Sequence, residues 1–256
     1  MGILPDLIYS LDMLTYRIQR HDSLGSTNDE AKRLAALGEP EGTVIVADTQ
    51  TAGRGRSGRH WLTPPGAAIA LSVILRPQTA LVHTTQISLL GGLAALEGIR
   101  QVIALPLQLK WPNDVLVRGK KVAGVLAEAG FGGNVLEYVV LGIGVNVNGA
   151  PPSDLNLDYE ATSLMDQYGA MLDREVILQA ILSVFKHYYP QLGTPDLAQR
   201  WSDHLAMRGV LVKVQGMLET ITGQVLGVKA DGSLVIQLAN GDTRTILTGD
   251  VHLRSA

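Results

Sequence analysis

Cysteine is absent from the 256 residues. Its absence excludes disulfides, thiolate metal sites and every mechanism that needs a cysteine nucleophile, and it leans weakly toward a cytoplasmic location. No apolar run reaches the ~18 residues of a membrane helix. The start lacks the basic, apolar and small-residue order of a secretory leader: Asp6 comes early and Arg17 is the first cation. A surplus of positive charge is also missing. With 21 basic and 24 acidic residues the formal charge is -3, so no global field draws the chain to nucleic acid or anionic lipid, and neither is expected as a partner. The six histidines are scattered without metal-ligand spacing, and no structural metal is expected.

What is present is a chain that is 46% hydrophobic, enough to fill one substantial core and a small one. Thr27 to Glu30 has the spacing of a capping box, and a short helix is expected to follow and to end at Gly38. Thr43 to Asp48 and Ala67 to Leu75 read as strands, and Gln86 to Arg100 reads as a buried helix. Leu107 to Lys110, Val115 to Val117, Val122 to Glu128 and Tyr138 to Val147 read as further strands with turn signals between them. Arg174 to Tyr189 and Asp196 to Met207 return to helical periodicity. Beyond Val210 the alternation becomes that of a small barrel, broken at Gly216, Asp231-Gly232 and Asn240-Gly241. Two domains are therefore expected, residues 1–207 and 208–256.

Gly53-Arg54-Gly55-Arg56-Ser57-Gly58 formally matches the dinucleotide fingerprint, but that motif needs a helix at once and an acidic residue about 20 positions on. Here Trp61 to Gly66 (WLTPPG) denies the helix, and no Asp or Glu stands between Asp48 and Glu97. Three arginines in six residues, loosened by glycine and without counter-charge in the segment, suit an anion: backbone N–H groups can approach a phosphate and guanidinium forks can grip it. On composition alone a solvated surface loop would read the same way.

The run GRGRSGRHW resembles the signature loop of biotin-protein ligases. Four further segments agree with that family in order: KWPNDVLV, KKVAGVLAE, GIGVNVN and ATSL. The likeness runs from Ser26 to about Leu164, and the terminal module resembles the family's SH3-like domain. The resemblance implies an α/β catalytic domain around a mixed sheet, related to class II aminoacyl-tRNA synthetases, followed by a β-barrel. It implies biotin and ATP as substrates, Mg²⁺ arriving with ATP, and transfer of biotin to a lysine of a biotin carboxyl carrier domain. It leaves monomer or homodimer open. A lipoate ligase shares the chemistry, but the loop and the terminal module suit the biotin branch. A biotin-responsive repressor would carry a DNA-binding domain ahead of Ser26, where about 25 residues stand.

The same resemblance assigns residues. Ser26, Thr27, Asn28 and Gln50 match the contacts to biotin's ring, and hydroxyls and amides can serve a urea as both donor and acceptor. For Thr27 simple helix capping is the competing reading. Arg54, Gly55 and Arg56 match the loop that closes over biotin and its adenylate, with Arg56 on carboxylate and phosphate. Arg59, Trp61, Asn113 and Asn146 match the nucleotide side. Lys121 matches the lysine on the biotin carboxylate and α-phosphate, and Asp114 is expected to orient or deprotonate the acceptor amine. Gly124, Gly142 and Gly144 weaken strands unless something packs close; a ligand is expected to be the reason.

Overall fold

The computed structural model describes residues 14–77, 84–151, 160–215, 219–247 and 249–253. Long aliphatic strands with side chains alternating between two faces build the main layer. In chain order these are Arg17–Leu24 (β1), Thr43–Gln50 (β2), Ala68–Leu75 (β3), Leu107–Lys110 (β4), Asp114–Val117 (β5), Lys120–Gly132 (β6) and Val135–Asn146 (β7). They form one sheet in the order β1-β2-β3-β7-β6-β5-β4. β1 runs parallel to β2 and the other pairings are antiparallel. The sheet is mixed, as expected.

Alternation gives the two faces different jobs. Ile69, Leu71, Val73 and Leu75 of β3, with Leu141, Ile143 and Val145 of β7, join the large buried cluster. That cluster also takes in Thr84–Val102 (α2) and Arg174–Tyr188 (α4). Each such aliphatic side chain contributes about 1.5–3 kcal/mol when fully buried. Gly98 lets the two helices close on each other, because a Cβ there would lie 2.7 Å from the backbone of Ile181. The opposite face of these strands and of the adjoining β6 carries Ala70, Ser72, Gly124, Gly142 and Gly144 instead, and one end of it is covered by Thr27–Ala36 (α1) through Ala31 and Ala35. Small side chains there leave a hollow beside the helix.

Three expectations need correction. Thr27 and Glu30 form no capping box: the N-cap is Ser26, which makes no side-chain capping bond, and Thr27's hydroxyl is turned to Gln50 and Ser72 instead. A capping box does occur at Leu164–Tyr168 (α3), between Ser163 and Asp166, where no helix was expected. The helix expected over Asp196 to Met207 is Pro195–Asp203 (α5). It stops early because the following backbone pairs with the open edge of β4: Leu109 N–H donates to His204 O at 2.7 Å and Ala206 N–H to Leu109 O at 2.8 Å. A sheet edge satisfied by passing backbone outcompetes another helical turn. β1 also went unread, since its residues RIQRHDSL carry the polarity of an edge strand.

The remaining strands are Leu211–Gln215 (β8), Thr220–Val228 (β9), Leu234–Gln237 (β10), Thr243–Ile246 (β11) and Asp250–Leu253 (β12). They make an antiparallel five-stranded sheet in the order β11-β10-β9-β8-β12. The break read at Gly216 and the end of the last repeat of alternation, residue 248, lie outside the described residues. Buried Trp111 donates its indole N–H to Gly232 O at 3.0 Å, and Gln86 Nε2 donates to Ala230 O at 2.6 Å, tying this sheet to the larger one. Among the described residues no helix is long and apolar enough to cross a membrane.

Candidate functional site

The hollow beside α1 is a pocket of about 1130 Å³, counting its open mouth. Every residue singled out from the sequence lines it: Ser26, Thr27, Asn28, Gln50, Arg54, Gly55, Arg56, Arg59, Trp61, Asn113, Asp114, Lys121, Gly124, Gly142, Gly144 and Asn146. Lys110, His60 and Ala161 line it too and were not foreseen.

One end is polar and rigid. Ser26, Thr27 and Asn28 begin α1 and are buried. Gln50, at the end of β2, accepts from Thr27 N–H at 2.8 Å and lies 3.1 Å from its hydroxyl, while its own amide N–H donates to Thr63. Behind them Ser72, fully buried on β3, lies 2.8 Å from Thr27 Oγ1 and 2.6 Å from Asn28 Oδ1. Asn28 Nδ2 donates to Glu128 Oε2 at 2.8 Å. Glu128 also pairs with Lys32 at 2.9 Å. Burial works against the charge on Lys32, but hydrogen bonds to Glu128 and Asp29 outweigh it and hold the ammonium above its usual pKa.

The other end gathers cations. The loop folds back on itself: Trp61 N–H donates to Gly53 O at 2.9 Å and Gly55 N–H to Arg59 O at 2.7 Å, around a single 3₁₀ turn at Arg56–Gly58. Gly53 is needed there, because a Cβ would stand 2.3 Å from Trp61 O. The expectation that this segment lacks counter-charge holds for its own sequence and fails in space. Arg54 Nη2 lies 2.5 Å from Asp29 Oδ1 and 3.2 Å from Glu128 Oε2. Arg56 Nη1 donates to Asn113 Oδ1 at 3.4 Å. Lys121 Nζ lies 2.7 Å from Asp114 Oδ1. Among the described residues that oxygen has no aligned hydrogen bond, so the contact is a coulombic pair held by proximity.

The floor connects the two ends. A Cβ at Gly142 would meet Asn28 Oδ1 at 2.2 Å, and one at Gly144 would meet the Trp61 ring at 2.3 Å. A Cβ at Gly124 would stand 3.1 Å from Trp61 Cζ3 and from Lys121 Cε. These glycines, expected to admit a ligand against the strand, also admit Asn28, Trp61 and Lys121, which stand against them in this structure. The indole N–H of Trp61 is buried with no hydrogen-bond partner among the described residues. The ATSL motif acts from behind. Lys121 N–H donates to Glu160 O, Thr162 N–H to Lys121 O, and Asn146 Nδ2 to Thr162 O, which fixes the strand end carrying Lys121. Among the described residues no group of three or more His, Asp or Glu converges as a metal site would require.

A mixed sheet with a small-residue floor, neutral hydrogen-bonding groups at one end of the pocket and cations at the other defines an α/β protein with one two-ended site. Comparison with known proteins gives the class its family. Residues 22–146 match the Biotin/lipoate A/B protein ligase family, and residues 209–254 match the Biotin protein ligase C terminal domain. A biotin--[acetyl-CoA-carboxylase] ligase of Mycobacterium tuberculosis is 39% identical over 90% of this chain and 86% of its own length. The bifunctional ligase/repressor BirA of Bacillus subtilis is 36% identical over 91% of this chain and 73% of its own. Among solved structures, the biotin protein ligase from Aquifex aeolicus in complex with biotin and ATP superposes with a TM-score of 0.80 at 30% identity, covering 93% of this chain and 99% of that one. The chain belongs to the biotin protein ligase family.

Proposed function

We propose that the chain joins biotin to ATP as biotinyl-5'-AMP and then transfers biotin to a lysine of a biotin carboxyl carrier domain. The observation that carries this reading is the arrangement of one pocket: donors and acceptors for a cyclic urea at Thr27 and Gln50, a glycine floor for an apolar body, and Lys121 with Arg56 where a carboxylate would end. A biotin carboxylate oxygen attacks the α-phosphorus, the bond to pyrophosphate breaks, and pyrophosphate leaves. The acceptor amine then attacks the acyl carbon of the anhydride, AMP leaves, and the amine's surplus proton passes to a base.

No covalent nucleophile is needed. The protein's part is alignment, plus positive charge where phosphate oxygens gain negative charge, and Lys121 and Arg56 supply it. Arg54 and Gly55 close the loop over the acyl chain, which keeps water from the anhydride. Arg59, Trp61, Asn113 and Asn146 take the nucleotide. Once the incoming phosphate draws Lys121 away, Asp114 is released to orient or deprotonate the acceptor amine. Mg²⁺ enters with ATP and would be held chiefly by phosphates; among the described residues the only carboxylate lining the pocket is Asp114, which fits an ion riding on its substrate rather than a resident metal. The proposed place of this chemistry is the cytoplasm.

The test is transfer of labelled biotin to a biotin carboxyl carrier domain. ATP-dependent label on the acceptor lysine is the expected result. No transfer, or preferential transfer of lipoate in parallel reactions, would overturn it. The reading as a ligase without DNA binding is tested separately by retention of a duplex at physiological salt.

A further inference from the structure

Resting on the biotin reading, we infer that Lys110 is a positioning residue for the adenylation step: it is the standing counter-ion of Asp114 that lets Lys121 leave for the phosphate.

Three strands place the three charges. β4, β5 and β6 are neighbours in the sheet, and in their register Asp114 stands directly opposite Lys110 on one side and Gly124 on the other. Residues opposite each other across antiparallel strands share a face, with Cβ atoms about 4.5–5.5 Å apart. That face is the pocket wall, since Lys110, Asp114 and Gly124 all line it. The place of a side chain at Gly124 is filled by another lysine: Lys121 folds over it, and a Cβ there would stand 3.2 Å from Lys121 Nζ. The carboxylate of Asp114 therefore lies between a lysine rooted opposite it on β4 and a second one that reaches it from along β6.

The two lysines are not equivalent. Lys110 and Asp114 are each 7% exposed, whereas the Lys121 side chain is 26% exposed. Lys121 Nζ lies 2.7 Å from Asp114 Oδ1, and that oxygen has no aligned hydrogen bond among the described residues. A contact held by charge, on a flexible stem, is one that a phosphate can take over. Asp114 cannot follow, because it is fixed in a strand. Taking one partner from a buried ion pair leaves an uncompensated charge, which is strongly unfavourable. With Lys110 opposite, the carboxylate keeps a cation throughout, and Lys121 is released at small cost. The other charged or titratable groups on the pocket wall are Arg54, Arg56, Arg59 and His60, all from the arginine loop. Of these, Arg54 is paired with Asp29 and Glu128, and Arg56 donates to Asn113.

The experiment is biotin-dependent pyrophosphate exchange by the full chain, in a double-mutant cycle of Lys110→Met and Asp114→Asn. Lys110→Met should slow exchange at least about fivefold, because each departure of Lys121 then strands a buried carboxylate. In the Asp114→Asn background no carboxylate is stranded, and the same substitution should cost no more than about twofold. The defect of Lys110→Met should also shrink as the pH is lowered, because a proton then neutralises Asp114 in place of the missing ammonium. His60 and the arginines are present in native and variant alike, so the ratio of the two rates isolates that proton.

A smaller loss in the native background, a larger one in the Asp114→Asn background, or a defect that does not change with pH would mean that Lys110 only packs the wall or acts on the phosphates directly, and would overturn the inference. If Lys110→Met fails to fold, the double variant, in which neither charge remains, should fold and exchange within about twofold of Asp114→Asn. A double variant that also fails to fold, or that falls further behind, overturns the inference by itself. A native chain without biotin-dependent exchange overturns the biotin reading as well, whereas the other failures leave that reading standing.

Discussion

The two ends of the pocket are built on opposite principles. At the ring end, Ser26, Thr27, Asn28 and Ser72 are buried on a helix start and a central strand, and Thr27, Asn28 and Ser72 are hydrogen-bonded to one another or to Gln50. At the cationic end the charges are paired with substitutes from within the chain: Arg54 with Asp29 and Glu128, Lys121 with Asp114, and Trp61 resting on the glycine floor. The first arrangement is held in place by the chain's own hydrogen bonds. The second is a set of holding positions that a ligand must displace, so part of the binding free energy goes into partner exchange.

The largest effect should follow from removing the cation that the exchange delivers. Lys121→Ala is expected to slow adenylation by ~10² to 10³, the usual loss for one preorganised donor to developing charge. The groups proposed to hold biotin's ring remain, so capture should suffer less. Supplied biotinyl-adenylate should bypass much of the defect, because only aminolysis is left. Near-normal pyrophosphate exchange in the variant, or no rescue by the adenylate, would remove Lys121 from this role and return it to the surface of a hairpin.

A smaller effect should come from the floor, where the two ends meet. Gly144→Ala places a Cβ 2.3 Å from the ring of Trp61, closer than packed atoms tolerate. Overpacking of this kind costs about 1–3 kcal/mol when the neighbour cannot leave. Urea denaturation should show that loss, and tryptophan emission should change as the ring lifts. Unchanged stability together with unchanged emission would mean that Trp61 does not rest on the floor in solution.

How much of this was legible in the sequence differs by region for physical reasons. The core strands were readable because runs such as AIALSVIL (residues 68–75) are buried on both faces and are aliphatic but for one serine. β1 was not, because RIQRHDSL at a sheet edge looks like a loop. All the residues singled out for the site line one pocket, and the contacts of Trp61 and Asn28 with the glycine floor are ones that no local pattern announces. The ion pairs Arg54 to Glu128 and Arg54 to Asp29 span 74 and 25 positions, and no local pattern announces such partners. Ser72 was invisible for a different reason. A serine in an aliphatic strand reads as a tolerated small residue, and only the register of β3 behind α1 turns its hydroxyl toward Thr27 and Asn28. The capping box expected at Thr27 failed because Gln50 and Ser72 compete for the same hydroxyl.

The smallest effect concerns the pair that holds the arginine loop. Arg54 and Asp29 are 40% and 54% exposed, and exposed pairs contribute about 0–1 kcal/mol, so Asp29→Asn should leave global stability almost unchanged. The loop itself makes few apolar contacts, and a local opening free energy lowered by about 0.5–1 kcal/mol corresponds to roughly twofold to fivefold more of the open form. Trypsin, which cuts after Arg54, Arg56 and Arg59, should therefore nick the ligand-free variant about twofold to fivefold faster than the native chain, with a smaller difference at high salt as the pair is screened. Biotin or its adenylate should abolish the difference, because the arginines then hold the ligand and Asp29 no longer matters. Equal cleavage of the native loop with and without biotin would show that ordering and binding are uncoupled. Equal cleavage of native and variant without ligand would show that Asp29 holds nothing, leaving Glu128 as the partner that keeps Arg54 in place.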